Sequence, residues 1–190
     1  MKIILGSKSP RRKELLSLLG YSFEIRTLDT DESFPLSTPI GEIPILIANK
    51  KAEALIPTLK ENELLITADT IVVLNDEVLG KPLNESDARE MLLKLSRNIH
   101  TVITGVCIHT KTQSIKKSVS TKVTFKELLL TDINFYIENY KPFDKAGSYG
   151  IQEYIGLIGI AKIEGSYTNV VGLPTAEVEE ILKTFEIEKP

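Results

Sequence analysis

The amino-acid sequence predicts an α/β protein with a mixed, twisted sheet and flanking helices. Strand-like apolar runs alternate with segments of helical apolar spacing along the 190 residues. Two long β-type runs, 101–109 and 115–125, follow each other across a short polar turn, which favours an antiparallel pair and argues against a purely parallel sheet. The length suits a single domain, 1–190, with one core or with two lobes around a cleft.

The first half of the chain predicts three helices separated by strands. Ser9 suits a helix N-cap before Pro10, and Gly20 closes that helix. Asn84 is a second N-cap, and Pro44 blurs the start of the long middle helix. We predict strands at 2–5, 23–26, 64–68, 71–74 and 77–79, a polar loop at 27–38, and helices at 10–19, 40–59 and 84–95.

The second half contains the two long strand-like runs, a helix at 131–140 and a segment rich in Gly and aromatic residues, for which no regular element is predicted. A closing helix is predicted at 175–185, with Thr175 as its N-cap behind Pro174.

Composition excludes several classes of protein. The net charge is −3, so a basic field over the whole chain, which would grip nucleic acid, is absent. Cys107 is the only cysteine; it cannot form an internal disulfide, and its apolar run predicts a buried strand residue. No apolar run approaches the ~20 residues that cross a bilayer, and the N-terminal charge order differs from that of a secretory signal. We therefore expect a cytoplasmic protein.

The segment Ser7 to Arg12 combines a hydroxyl-bearing turn, a helix start and two guanidinium groups. Free N–H groups and the positive dipole end of a helix hold phosphate, and arginines add bidentate contacts. The alternative is a capped helix with a solvated basic turn.

Two carboxylates are candidates for chemistry. Asp69 is predicted at the mouth of an apolar strand, a usual place for a Mg²⁺ ligand or a general base. Glu32 lies in an acidic loop. The alternatives are a cap or turn residue for Asp69 and a solvated loop acid for Glu32.

Three lysines and one amide complete the candidates. Lys51, Lys81 and Lys145 are suitable point charges for phosphate oxygens, although single lysines are more often surface residues. Gln152 follows a Gly-rich loop, and its amide can both donate to and accept from a base edge; the alternative is a surface Gln. These features point to a phosphorylated small molecule and leave hydrolysis and binding both open.

Taken together, these segments resemble the Maf family of nucleotide pyrophosphatases over nearly the whole chain. The shared motifs, in order, are Ser7 to Arg12, the acidic loop ending at Glu32, Lys51-Ala52, Ala68-Asp69-Thr70, Gly80-Lys81-Pro82, His100 with Thr104-Gly105, Lys145 to Gln152, and Gly165 to Pro174.

The resemblance implies an elongated fold with two lobes around a central cleft, related to inosine triphosphatases. It implies hydrolysis of a nucleoside triphosphate between the α- and β-phosphates with a divalent cation, Mg²⁺ or Mn²⁺. By motif, Asp69 would be the general base, and Glu32 and Asp69 would lie close to the metal. The residues that would hold the triphosphate are Ser7, Arg11, Lys51 and Lys81.

Arg12, Thr70 and Gln152 match the subclass that prefers dTTP and UTP, with modified pyrimidine nucleotides as further substrates of a house-cleaning role. Two segments depart from the family pattern. Ser96-Arg97-Asn98 stands where Ser-Gly-Arg is frequent, and Glu153 to Gly156 replaces a Gly-x-Gly run.

The family is also associated with arrest of septum formation, so the alternative function is a nucleotide- or nucleic-acid-binding regulator without turnover. The retained Glu32, Asp69 and Lys81 favour an enzyme, since a pure binder needs no carboxylate positioned for water. A purely structural partner protein would leave these motifs unexplained. The resemblance further suggests a homodimer, and we expect no stable nucleic-acid complex.

Overall fold

A computed structural model of the chain describes residues 1–187 and 189. The chain divides into two compact units. The first unit contains Met1–Thr70, Thr104–Val119 and the described part of Gly172–Pro190, and the second contains Ile71–Ile103 and Ser120–Val171.

Seven strands and seven α-helices are interspersed along the described residues. The strands are β1 (Lys2–Leu5), β2 (Phe23–Ile25), β3 (Glu63–Leu74), β4 (Glu77–Leu79), β5 (Ile99–His109), β6 (Ser114–Phe125) and β7 (Ile160–Glu164). The helices are α1 (Pro10–Leu18), α2 (Ile43–Leu55), α3 (Glu85–Leu95), α4 (Leu130–Tyr140), α5 (Tyr154–Gly159), α6 (Tyr167–Val171) and α7 (Thr175–Thr184). None of the described helices has the length and apolar character needed to cross a membrane.

The seven strands form one mixed sheet in the order β2-β1-β3-β5-β6-β7, with β4 paired to β3. Strand β1 runs parallel to β2 and to β3, whereas β3–β4 and β6–β7 are antiparallel. The predicted mixed α/β class is therefore confirmed.

In the first unit, helix α2 packs on the central strands. Ala52 and Leu55 of α2 are buried against Ile4 of β1 and Leu65 of β3. The helix approaches β5 so closely that a Cβ at Gly105 would lie 2.4 Å from the backbone nitrogen of Ile45. Only glycine fits there, and this contact fixes the helix that carries Lys51.

In the second unit, buried aromatic rings surround His100. Its ring stacks on Phe125 at 5.5 Å between centroids and meets Tyr149 edge-on at 5.3 Å. The imidazole Nε2 lies 2.7 Å from the Tyr149 hydroxyl. Burial lowers the pKa of His100 to about 4, and these contacts indicate a structural role for this histidine.

Asp69 does not end a strand, and this part of the prediction is wrong. Strand β3 runs unbroken from Glu63 to Leu74. Its residues up to Ile66 pair with β1, and pairing with β4 begins at Val72. Asp69 therefore lies in the part of β3 that follows its pairing with β1 and precedes its pairing with β4. Because β1 has ended at this point, the apolar pattern alone suggested the end of a strand.

Three further boundaries differ from the prediction. The helix predicted over 40–59 divides into a 3-10 turn, α2 and a second 3-10 turn, because Pro44 and Pro57 are placed in first turns, where their missing N–H costs nothing. Thr175 is not an N-cap: Pro174 occupies that position and Thr175 is already helical. The Gly-rich segment contains α5, β7 and α6, none of which was predicted.

Candidate active site

The turn between β1 and α1 is ordered by its own hydroxyl groups. Ser9 caps α1, and its Oγ accepts from the Arg12 backbone N–H at 3.4 Å. The buried Ser7 accepts from the Ser9 N–H at 3.2 Å. The side chains of Ser7 and Ser9 thus bend the chain so that Arg11 and Arg12 lie in the first turn of the helix, as predicted.

All three nitrogens of the Arg12 guanidinium donate hydrogen bonds to other groups of the protein. Its Nε donates to Gly172 O at 2.8 Å, and its Nη1 donates to Ala68 O at 2.8 Å and to Ser7 Oγ at 3.4 Å. Its Nη2 donates to Thr70 Oγ1 at 3.1 Å. The carbonyl of Ala68 belongs to the stretch of β3 between its pairing with β1 and its pairing with β4, so Arg12 satisfies a backbone acceptor there.

Charges of both signs surround Arg12. Burial is the main cause that lowers its pKa, the nearby Asp69 opposes that shift, and Arg11 adds to it. Glu32 also favours the charged form. Both arginines and both candidate carboxylates are therefore close enough to interact electrostatically.

Lys51 lies between the two candidate carboxylates. Its Nζ is 2.7 Å from Asp69 Oδ1 and 2.7 Å from Glu32 Oε1. The Lys51 and Asp69 side chains are only 15% and 13% exposed, whereas Glu32 is 46% exposed. Helix α2, strand β3 and the 27–38 loop thus bring together residues that are 18 or more positions apart in sequence.

A hydroxyl pair extends this cluster. Thr70 Oγ1 lies 3.0 Å from Thr104 Oγ1 of β5. Because Thr70 already accepts from Arg12, its own hydrogen is available for Thr104 or for another acceptor. Thr104 and Gly172 were not predicted as site residues; the only sequence signal was their place inside shared motifs.

The carboxylates of Glu32 and Asp69 fit a hard divalent cation. Both reach one cationic nitrogen, so a single cation is within range of both. In the described residues no group of three or more His, Cys, Asp or Glu side chains could hold a metal ion. Mg²⁺ characteristically uses one or two protein carboxylates and takes its other ligands from water and phosphate oxygens. The donor set therefore suits a metal that arrives with a phosphorylated ligand.

Two predicted site residues, Lys81 and Gln152, belong to the second unit. Both are exposed. The loop that carries Gln152 is joined to the segment of Lys81 by a backbone hydrogen bond of 3.0 Å from Gly147 N to Gly80 O. Within this unit, the residues predicted for phosphate and for base are thus on connected segments.

Lys145, the third candidate lysine, is buried and ion-paired. Its Nζ lies 2.7 Å from Asp144 and 3.1 Å from Glu153. Its side chain is 8% exposed, so a phosphate role is disfavoured. Cys107 is buried in β5 as predicted, and burial raises the pKa of its thiol to about 11.

Two relatives with about half of their residues identical to this chain carry the same description. A "dTTP/UTP pyrophosphatase" of Parabacteroides distasonis is 53% identical over 185 residues, covering 97% of this chain and 96% of the relative. A protein of the same description from Phocaeicola vulgatus is 55% identical over 183 residues, covering 96% and 95%.

Among solved structures, the Staphylococcus aureus Ham1 protein has a similar fold, with a TM-score of 0.55, 14% identity, and coverage of 98% of this chain and 100% of that one. The family model "Maf-like protein" matches residues 2–185. Such a match over nearly the full length, together with relatives above 50% identity, places the chain in the Maf-like protein family.

Proposed function

We propose that the chain is a hydrolase that converts nucleoside triphosphates, dTTP and UTP in particular, to the nucleoside monophosphate and pyrophosphate. The observation that carries this proposal is the cluster of Lys51, Asp69 and Glu32, a cation within 2.7 Å of two carboxylates. The names of the relatives at 53% and 55% identity support the same reaction and the same nucleotides.

The proposed reaction is an attack of water on the α-phosphorus. Asp69 takes a proton from the water, a P–O bond forms from the water oxygen, and the bond to the β-phosphate oxygen breaks, so that pyrophosphate leaves with its electron pair. A carboxylate beside the water and cations beside the phosphates are the groups that such a transition state requires. Asp69 suits the task because β3 and the Lys51 ion pair hold it in place.

Charge neutralisation is assigned to the residues predicted for phosphate. Arg11, Lys51 and Lys81 are cations, and Ser7 offers a hydroxyl donor. Glu32 and Asp69 would hold Mg²⁺ or Mn²⁺, which when bound supplies further positive charge against the phosphate oxygens.

Arg12 and Thr70 affect nucleotide preference in a different way from Gln152. Arg12 is fully engaged with Gly172, Ala68, Ser7 and Thr70, so it acts by holding Thr70 and the β1–α1 turn. Gln152 is exposed and is the candidate for contact with the base.

The test is pyrophosphate release from a panel of dTTP, UTP, dCTP, dATP and dGTP, with Mg²⁺ or Mn²⁺ and with EDTA. We expect selective, EDTA-sensitive release from dTTP and UTP. Hydrolysis in ¹⁸O-water should place the label in the monophosphate, whereas label in pyrophosphate would contradict attack at the α-phosphorus.

A matched pair of loop variants tests the role of Glu32. Glu32→Gln removes a carboxylate that contacts Lys51, whereas Asp29→Asn removes an exposed carboxylate of the same loop, paired with Lys8. We expect Glu32→Gln to raise the metal concentration needed for half-maximal activity and Asp29→Asn to leave it unchanged. An equal response of both variants would remove Glu32 from the metal site.

Three earlier predictions remain proposals. A homodimer is testable by sedimentation, the absence of a stable nucleic-acid complex by a mobility-shift titration, and cytoplasmic residence by cell fractionation. The alternative of a septum regulator without turnover predicts no pyrophosphate release from folded protein, and the names of the relatives favour turnover.

A further inference from the structure

The Gln152 loop, which we define as residues 147–153, is held on both sides of Gln152. Before Gln152, the backbone N–H of Gly150 donates to the Tyr136 hydroxyl at 3.0 Å. After it, the backbone N–H of Glu153 donates to Gly150 O at 3.0 Å and closes a tight turn around 151–152. The two bonds constrain the main chain on both sides of Gln152, whose side chain is exposed.

Side chains continue this connection into the interior of the second unit. The Tyr136 hydroxyl donates to one carboxylate oxygen of Glu153, and the other oxygen lies 3.1 Å from Lys145 Nζ. Burial, followed by the hydrogen bond to Glu153, raises the pKa of Tyr136, so the hydroxyl keeps its proton. Hydrogen bonds to charged groups are among the stronger ones in proteins.

This network is packed as well as bonded. Tyr136 is fully buried and the Lys145 side chain is 8% exposed. A Cβ on Gly150 would lie 2.6 Å from Glu153 Cδ, so the carboxylate lies against the glycine backbone. Glu153 begins the segment that departs from the Gly-x-Gly run frequent in the family.

The chemistry of an amide explains why such a support matters. One edge of a Gln amide carries an acceptor and donors side by side. It can pair with the N3–H and O4 of uracil or thymine. If the amide is turned over, it can pair instead with the N3 and N4–H₂ of cytosine. A Gln on a loose loop would therefore accept both kinds of base, and a fixed main chain is the first condition for discriminating between them.

We propose that Tyr136, Glu153 and Lys145 are positioning residues that fix the Gln152 loop and thereby set the preference for uracil and thymine nucleotides over cytosine nucleotides. This inference rests on the proposed function, because it assigns the base contact to Gln152. None of the three residues touches the substrate in this scheme; each acts through the loop.

The test compares kcat/KM for dTTP and dCTP in the full-length protein. Tyr136→Phe removes the hydroxyl that links Gly150 to Glu153, and we expect the dTTP-to-dCTP ratio to fall about tenfold, the size expected for one charge-assisted hydrogen bond. Glu153→Gln, which keeps the shape and removes the charge, should lower the ratio in the same direction. It also provides a second variant if Tyr136→Phe does not fold.

The matched control is Tyr154→Phe. Tyr154 donates its hydroxyl to Asp132 at 2.9 Å, so the change removes a similar bond from a neighbouring helix without touching Gly150 or Glu153. The ratio should stay at the parent value.

A double-mutant cycle separates positioning from a general structural effect. In a Gln152→Ala background, Tyr136→Phe should change the ratio no further. A fall of equal size in both backgrounds, an equal loss of activity toward both nucleotides, or a parent-like ratio in Tyr136→Phe and Glu153→Gln would overturn the inference while leaving the proposed hydrolysis intact. Absence of turnover in the folded parent protein would instead contradict the proposed function itself.

Discussion

Lys51 and Lys145 each lie between two carboxylates, and their surroundings differ. Lys51 bridges Asp69 and the largely exposed Glu32. Lys145 bridges Asp144 and Glu153, and Glu153 is bound in turn by the buried Tyr136. In the proposed function the first cluster binds phosphate and metal, and in the further inference the second cluster holds the Gln152 loop.

The comparison shows that a charged triplet does not by itself identify a reacting group. The role of each triplet depends on which structural elements and hydrogen-bond partners hold its carboxylates. Asp69 belongs to the stretch of β3 where its edge changes partner strands, and Glu32 belongs to a loop. Glu153 is tied through Tyr136 to the backbone of Gly150, so its charge is committed to the fold.

The largest expected difference between the clusters is in turnover. At saturating metal, Asp69→Asn should lower kcat for dTTP by about 10²–10⁴-fold, the contribution of a general base, while the protein still binds a non-hydrolysable analogue. Glu153→Gln should lower kcat by less than about tenfold, because it affects only positioning. Steady-state pyrophosphate release compares the two, and a kcat of Asp69→Asn equal to that of the parent would end the general-base assignment.

The second prediction concerns the pH dependence of stability in the second unit, where His100 contacts Tyr149 of the Gln152 loop. Burial lowers the pKa of His100 from 6.5 to about 4. Between these two pH values His100 is protonated in the unfolded chain and neutral in the folded chain. The free energy of unfolding should therefore fall as the pH drops from about 6.5 to about 4, by about 3 kcal/mol. It should be unaffected by this group above pH 6.5.

Denaturant titrations at several pH values measure this slope. His100→Phe should flatten it, with a smaller remainder from His109 of the first unit, whose pKa is also lowered by burial. An unchanged slope in His100→Phe would assign the pH dependence to other groups.

The third comparison concerns the stability and the activity of variants that lack either lysine. Lys145→Met leaves Glu153 without its cation in a half-buried place, and we expect a loss of about 1–2 kcal/mol, less than the 3–5 kcal/mol of a fully buried pair because Glu153 and Asp144 are partly solvated. Lys51→Met leaves Asp69, which is 13% exposed, without its cation, so we expect a loss of stability of similar size and, in addition, loss of activity. Thermal unfolding and turnover of both variants test this contrast, and a Lys145→Met variant that loses turnover as completely as Lys51→Met would contradict it.

The smallest expected effect is a change in stability at Arg97, which lies in the second unit outside the Gln152 loop. Arg97 has a left-handed backbone with φ of 60°, where the family pattern often has glycine. Arg97→Gly should raise the free energy of unfolding by about 0.5 kcal/mol, because relief of the left-handed strain is partly offset by greater freedom of the unfolded chain and loss of the exposed pair with Glu127. Denaturant midpoints should rise with an unchanged dTTP-to-dCTP ratio; a changed ratio would show that selectivity responds to general stability.

The sequence predicted most elements because local signals were strong. Ser9 and Asn84 are N-caps as predicted, and their side chains bond the backbone N–H groups of Arg12 and Asp87. The residues 154–171 were missed because α5, β7 and α6 are at most six residues long. Elements this short depend on tertiary contacts more than on propensity.

By itself, the sequence determined the mixed α/β class, the capped α1 with its two arginines and the buried Cys107. These follow from periodicity, capping and composition, which act over a few neighbouring residues, whereas the phosphate and metal roles are implied by the family motifs and stay predictions. Only the tertiary structure decided that Arg12 is engaged by backbone carbonyls, that Lys51 joins Asp69 to Glu32, and that Lys145 is committed to a loop. Those outcomes depend on contacts between residues far apart in the chain, and isolated side-chain types do not specify which carboxylate a lysine will meet.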